Sequence, residues 1–250
     1  MKQVILIGFE YNSLPGTIID LYLAIKWCQT FKCNINVITD IREFDLIFLD
    51  QSIKKRIVSN DIFNIFDITT VNIIKDKDEF IDKLSSLCNL NDDNIIYFTG
   101  HADSGKMILP NNNKISFVDF KNIISNNCPY NSDIFIIMDC CSAEGLFLQY
   151  KLQNNSFILK EDRSYVSQKV LLITSSNYDQ KSIATKYGSV FSQVLFEQLY
   201  KISFNPKNIS ILELRNNISK QIKNKYPKYN QSVSIYSSEI IETDLWLWIS

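Results

Sequence analysis

The sequence predicts an α/β fold, a mostly parallel six-stranded sheet flanked by helices. Two observations lead there. Short, unbroken apolar runs recur along the chain, and amphipathic stretches at helical spacing lie between them. An apolar run without alternation suits a strand covered on both faces, as in a parallel sheet between helices. Alternation of the two kinds of segment then gives the α/β class.

Each element has its own signal. Val4–Ile7 is a strand run that stops at Gly8, and Ile18–Thr30 follows with apolar residues at 18, 21, 25 and 28. Ile35–Ile38 is the second strand and ends at Thr39-Asp40. Asp78–Cys88 places Phe80, Ile81, Leu84 and Leu87 on one helical stripe. Ile95–Thr99 runs into Gly100-His101, and Phe117–Ile124 is the next helix. Ile134–Met138 ends at Asp139, Val170–Ile173 ends at Thr174-Ser175-Ser176, and Val233–Tyr236 is the sixth strand. Val190–Tyr200 and Ile211–Lys225 supply the last two helices. The stretch from Arg42 to Val71 reads as helical or partly irregular, and Asn111–Asn113 and Gln153–Ser156 as loops.

Composition narrows the function. The chain has 250 residues, 46% hydrophobic and 21% charged, enough to bury a sizeable core. With a formal net charge of -1 and Lys54-Lys55-Arg56 as its densest basic cluster, it lacks a nucleic-acid footprint. Its opening apolar run is too short for a secretory signal, and no window approaches a membrane span. A cytoplasmic protein is expected, with no membrane partner. The six cysteines (28, 33, 88, 128, 140 and 141) show no C-x-x-C spacing and read as reduced thiols. One histidine and scattered cysteines cannot form a standard zinc site, so Cys28 and Cys33, beside Trp27 and Phe31, read as packing.

Open parallel sheets bind ligands at the carboxyl ends of their strands. Two such ends carry reactive side chains: Gly100-His101 and Asp139-Cys140-Cys141. Residues 100–106, GHADSGK, also match G-x-x-x-x-G-K after an apolar strand. A phosphate loop needs Ser or Thr next, and then a helix. Here Met107 follows, with Pro110 and three asparagines close behind, which argues against nucleotide binding. Alone, the sole histidine reads as structural, and so does a lone cysteine. Together they read differently. His101 precedes Cys141 by 40 residues (141 − 101), about one strand–helix–strand unit, so their strands can be neighbours. A Cys–His pair supplies a thiolate nucleophile and a proton donor for the leaving group.

The segment YFTGHA (97–102) resembles the strand and histidine box, S-G-H-G, of caspase-like cysteine peptidases. DCCSAEG (139–145) is similar to the metacaspase cysteine box, D-[SC]-C-H-S-G. VILIGFEYNSLPGTIID (4–20), TSSNYDQKSIA (174–184) with GSVFS (188–192), and KYPKYNQSVSIYSS (225–238) resemble further metacaspase segments in the same order. The resemblance covers nearly the whole chain, as a single catalytic domain (1–250) without a prodomain. It implies a caspase-like sandwich and a cysteine endopeptidase with Cys141 as nucleophile and His101 as proton carrier. It needs no cofactor and no metal, and a monomer is favoured. The backbone N–H groups of Ala102 and Cys141 would bind the oxyanion. Asp20 and Asp139 would line the pocket for the residue before the scissile bond and select Lys or Arg in protein or peptide substrates. Taken alone, Asp20 reads as a solvated or helix-start acid. Cys140 is expected to pack.

Three departures accompany the resemblance. Ala102 stands where the family has Gly, and would be strained if that position needs a positive φ. Ser142 replaces the His after the nucleophile. The acids of the metacaspase calcium site are replaced by Phe117, Val118 and Leu148, which offer no oxygen ligands, leaving Asp119 as a single nearby acid. Lys151, Lys160 and Arg163, after the cysteine box, are self-cleavage sites or solvated charges. A pseudopeptidase that keeps the fold as a binding module is the alternative reading.

Overall fold

A computed structural model describes residues 2–11, 14, 16–41, 69–90, 93–145, 148–160, 166–177, 179–204, 209–229 and 231–241. Among them the strands in chain order are β1 (Lys2–Gly8), β2 (Cys33–Thr39), β3 (Thr70–Ile73), β4 (Asp93–Thr99), β5 (Ala102–Asp103), β6 (Lys106–Ile108), β7 (Lys114–Ser116), β8 (Asp133–Asp139), β9 (Tyr150–Gln153), β10 (Ser156–Leu159), β11 (Lys169–Thr174), β12 (Ala184–Thr185), β13 (Gly188–Ser189) and β14 (Ser234–Ser237). The helices are α1 (Thr17–Cys28), α2 (Lys77–Cys88), α3 (Phe117–Asn127), α4 (Val190–Phe204) and α5 (Ile211–Lys225). All six expected strands and all five expected helices form. Most of the uncertain stretch, 42–68, and Lys54–Arg56 within it, lies outside the described residues.

The central sheet has nine strands, not six, in the order β10-β9-β14-β11-β8-β4-β1-β2-β3. The six read from sequence are its contiguous inner block. The additions sit at the two edges, where burial is one-sided and the apolar signal weak. β3 has no buried residue, and β9 and β10 form a hairpin whose turn, Asn154-Asn155, occupies the middle of the expected loop. From β3 to β11 every pairing is parallel; β14, β9 and β10 are added antiparallel.

Strand side chains alternate between the two faces, and each face has its own core. Val4, Leu6, Tyr97, Ile137 and Ile173 pack under α1, α4 and α5. Ile5, Ile7, Phe98, Ile136, Met138 and Leu172 pack under α2 and α3, against Phe80, Leu84, Phe117 and Phe120. Burial of this kind is worth about 1.5–3 kcal/mol per large aliphatic or aromatic side chain. Helix starts are set locally. The side chains of Asp76, Ser116 and Ser210 accept the backbone N–H three residues on, from Glu79, Asp119 and Glu213 respectively. No helix among the described residues is long and apolar enough to cross a membrane.

Candidate active site

β4 and β8 are adjacent and parallel, with Thr99 opposite Asp139. His101 and Cys141 therefore leave the same sheet edge two residues beyond a matched pair, on strands about 4.8 Å apart. Gly100 N–H donates to the Asp139 carbonyl at 3.2 Å and carries the pairing one step further. Of the two cysteines, Cys140 is buried with Met138 and Ala143, and burial pushes its thiol well above the usual range. Cys141 is half-exposed. The bend and turn that follow β8 bury Cys140 and leave Cys141 accessible. His101 is half-buried, and loss of water lowers its pKa.

The chain after His101 is a hairpin, β5–β6, closed by Ser104 at φ 49° and Gly105 at φ 77°. Two positive φ values in sequence are what a tight two-residue hairpin turn requires. A strand follows Lys106, so no helix N-terminus faces a phosphate there. The match to a phosphate loop is a hairpin turn. Ala102 lies in β5 and is not among the residues with positive φ, which removes the expected strain. Its pair with Met107 is next to the His101–Ile108 pair, where Ile108 N–H donates to the His101 carbonyl at 3.0 Å. By alternation the Ala102 N–H points away from the hairpin's own ladder.

Asp20 and Asp139 meet. Asp20, on α1, is fully buried; its Oδ1 accepts Ser189 N–H at 2.8 Å and its Oδ2 accepts the Thr99 hydroxyl at 3.0 Å. Asp139 is 2% exposed and accepts the hydroxyls of Ser182 at 2.7 Å and Ser192 at 2.5 Å. Tyr97 Oη lies 2.5 Å from Ser192 Oγ. Because that serine donates to Asp139, the phenol is the donor in a short relay toward the carboxylate. Burial pushes both carboxyls up, and for Asp20 the like charge of Asp139 adds to it. Two glycines permit this arrangement. A Cβ on Gly16 would stand 2.5 Å from Gly188 N and Thr185 O, and one on Gly188 (φ 98°) would stand 2.5 Å from Asp20 Oδ1.

Several partners escaped the sequence reading. Gln180 O accepts Ser142 N–H at 3.0 Å, Ser176 Oγ accepts Ala143 N–H at 3.2 Å, and Ser176 O accepts Glu144 N–H at 3.2 Å. Three successive amides after Cys141 thus turn toward the segment that holds Ser176 and Gln180. Ser142 does so at φ 53°, a left-handed value uncommon outside glycine. Glu144 also accepts from Lys151 Nζ at 2.8 Å and from the Tyr236 hydroxyl. Lys151, in β9, is thus ion-paired rather than a freely solvated charge. Lys160, partly exposed, follows β10, and Arg163 lies outside the described residues. Tyr11, from the loop after β1, sets its ring edge-on to His101 with centroids 4.8 Å apart.

Cys28 is buried, and Cys33 Sγ donates to the Cys28 carbonyl at 3.3 Å; all six thiols are free. Leu148 and Phe117 are buried, Val118 is exposed, and Asp119 sits in the first turn of α3. No known family model matches the chain, and no curated protein matches it. Among solved structures it is similar to protein GSU0716 from Geobacter sulfurreducens, with a TM-score of 0.60 and 10% identity over 97% of this chain and 95% of that one. At that identity the likeness establishes the α/β architecture alone.

Proposed function

We propose that this protein is a cysteine endopeptidase of the metacaspase type, with a caspase-like sandwich fold and a Cys141–His101 dyad. The observation that supports it most is the register of β4 and β8, which sends the histidine and the cysteine off one sheet edge together. In the proposed reaction the Cys141 thiolate adds to the substrate carbonyl, and the Ala102 and Cys141 N–H groups receive the oxyanion. The C–N bond breaks as His101 gives its proton to the departing amine, leaving a thioester. Water then attacks that thioester and returns a proton to the dyad, which releases the acid product and free thiolate. Asp20 and Asp139 would take the ammonium or guanidinium of a Lys or Arg side chain in a protein or peptide substrate. The protein would act as a cytoplasmic monomer, without nucleic acid, membrane or cofactor.

A peptide electrophile ending in Arg tests the reading. Covalent labelling should occur in the wild type, vanish in Cys141→Ala and fall sharply in His101→Ala. One observation favours the alternative, a pseudopeptidase used as a binding module: both acids are sealed from solvent. Absence of labelling and of turnover across a full panel of basic peptides would select it.

A further inference from the structure

We infer that Tyr11 is a positioning residue for His101, threaded by its hydroxyl into the hairpin that the histidine begins. The inference rests on His101 being the proton carrier of the proposed dyad. Tyr11 Oη donates to the Ile108 carbonyl at 2.6 Å, across 97 residues of sequence. The His101 backbone N–H in turn points to the Tyr11 hydroxyl oxygen. His101 and Ile108 face each other at the open end of the β5–β6 hairpin, at a place where an antiparallel pair exchanges two hydrogen bonds. One of them is direct, Ile108 N–H to the His101 carbonyl. The hydroxyl of Tyr11 takes the place of the other, accepting from one strand and donating to its partner.

The ring completes the contact. Its edge-on packing against the imidazole holds one side of His101 in an apolar setting. Room for it comes from Gly100, where a Cβ would stand 2.7 Å from Tyr11 Oη. The glycine before the histidine therefore serves the tyrosine. Tyr11 packs against the imidazole from the β1 side, and the titratable groups that act on Tyr11 are Asp40, after β2, and the buried Cys140, after β8; Ala102 and Ile108 of the hairpin carry no titratable side chain.

Because the chain has one histidine, its ring can be followed by proton NMR without assignment. In Tyr11→Leu the His101 titration midpoint should rise toward the ordinary histidine value as water reaches the ring. With basic peptides, kcat should fall by about ten- to a hundredfold with KM little changed. Tyr11→Phe, which keeps the ring, should recover most of the midpoint but leave the His101 amide exchanging faster with solvent. A folded Tyr11→Leu variant that titrates like wild type overturns the inference, even if its Tm has dropped. If that variant does not fold, an unchanged amide exchange rate in Tyr11→Phe overturns it instead. Lack of wild-type turnover alongside a shifted midpoint would sink the peptidase reading and leave the positioning role standing.

Discussion

Gly188 shows how much one missing methyl group can decide. Its φ of 98° costs an L-residue about 1–2 kcal/mol, and a Cβ there would collide with Asp20 Oδ1. Gly188→Ala should lower stability by at least that amount and weaken binding of basic peptides, measured by thermal melts and by KM. If the acids line the proposed substrate pocket, cleavage should follow Lys or Arg and not Asp, since an acidic side chain would meet like charge in a poorly hydrated setting. Faster turnover after Asp than after Arg in a peptide panel would contradict this. Asp139→Ala should depress turnover of basic peptides strongly while Cys141 still reacts with small alkylators. These residues were legible because each sits in a short local box: Gly16 four before Asp20, Gly100 beside His101, Asp139 two before Cys141. Tyr11 and Gln180 were not. Tyr11 acts across 97 residues, and Gln180 holds the Ser142 amide through its backbone carbonyl, which carries no side-chain signature.

Among elements, the interior was readable and the edges were not. A strand buried on both faces carries an unbroken apolar run through its middle, so β1, β4, β8 and β11 announce themselves. β10 has one partly buried apolar residue, Phe157, among exposed neighbours and looks like a loop until its partner is known. The junction of β7 and α3 carries a prediction. Ser116 spends its hydroxyl capping the helix, Phe117 turns into the core, and Leu148 is buried. None of these side chains resembles the oxygen cage that calcium needs. Activity should survive a chelator and change little in millimolar Ca²⁺; a strong dependence on added Ca²⁺ in purified protein would show that other acids had rebuilt the site.

For the whole molecule, the buried acid pair makes stability depend on pH. An unfolded aspartate loses its proton near pH ~4, whereas Asp20 and Asp139 in the fold keep theirs to higher pH. Over that window the folded chain binds more protons, so this contribution is complete at pH values below ~4 and is lost as pH rises through the folded pKa values. Asn at position 20 can still accept from Ser189 N–H and bond Thr99, without the charge. Asp20→Asn should therefore raise Tm at neutral pH, by roughly 2–4 °C for each kcal/mol recovered, and the gain should fade toward pH ~4. Turnover of Arg peptides should fall in the same variant. Equal melting curves at both pH values would refute the pair's role.

The strand order has one more outcome. A cut after Lys160 would divide the chain into two polypeptides, the first ending with β10 and the second carrying β11 and β14. In the sheet, β11 and β14 lie between β8 and β9, so the second fragment is shuffled into the first like a card into a deck. Neither piece can peel away without breaking ladders on both of its flanks. A molecule nicked there should elute from a sizing column at the position of the intact chain, and come apart only in denaturant.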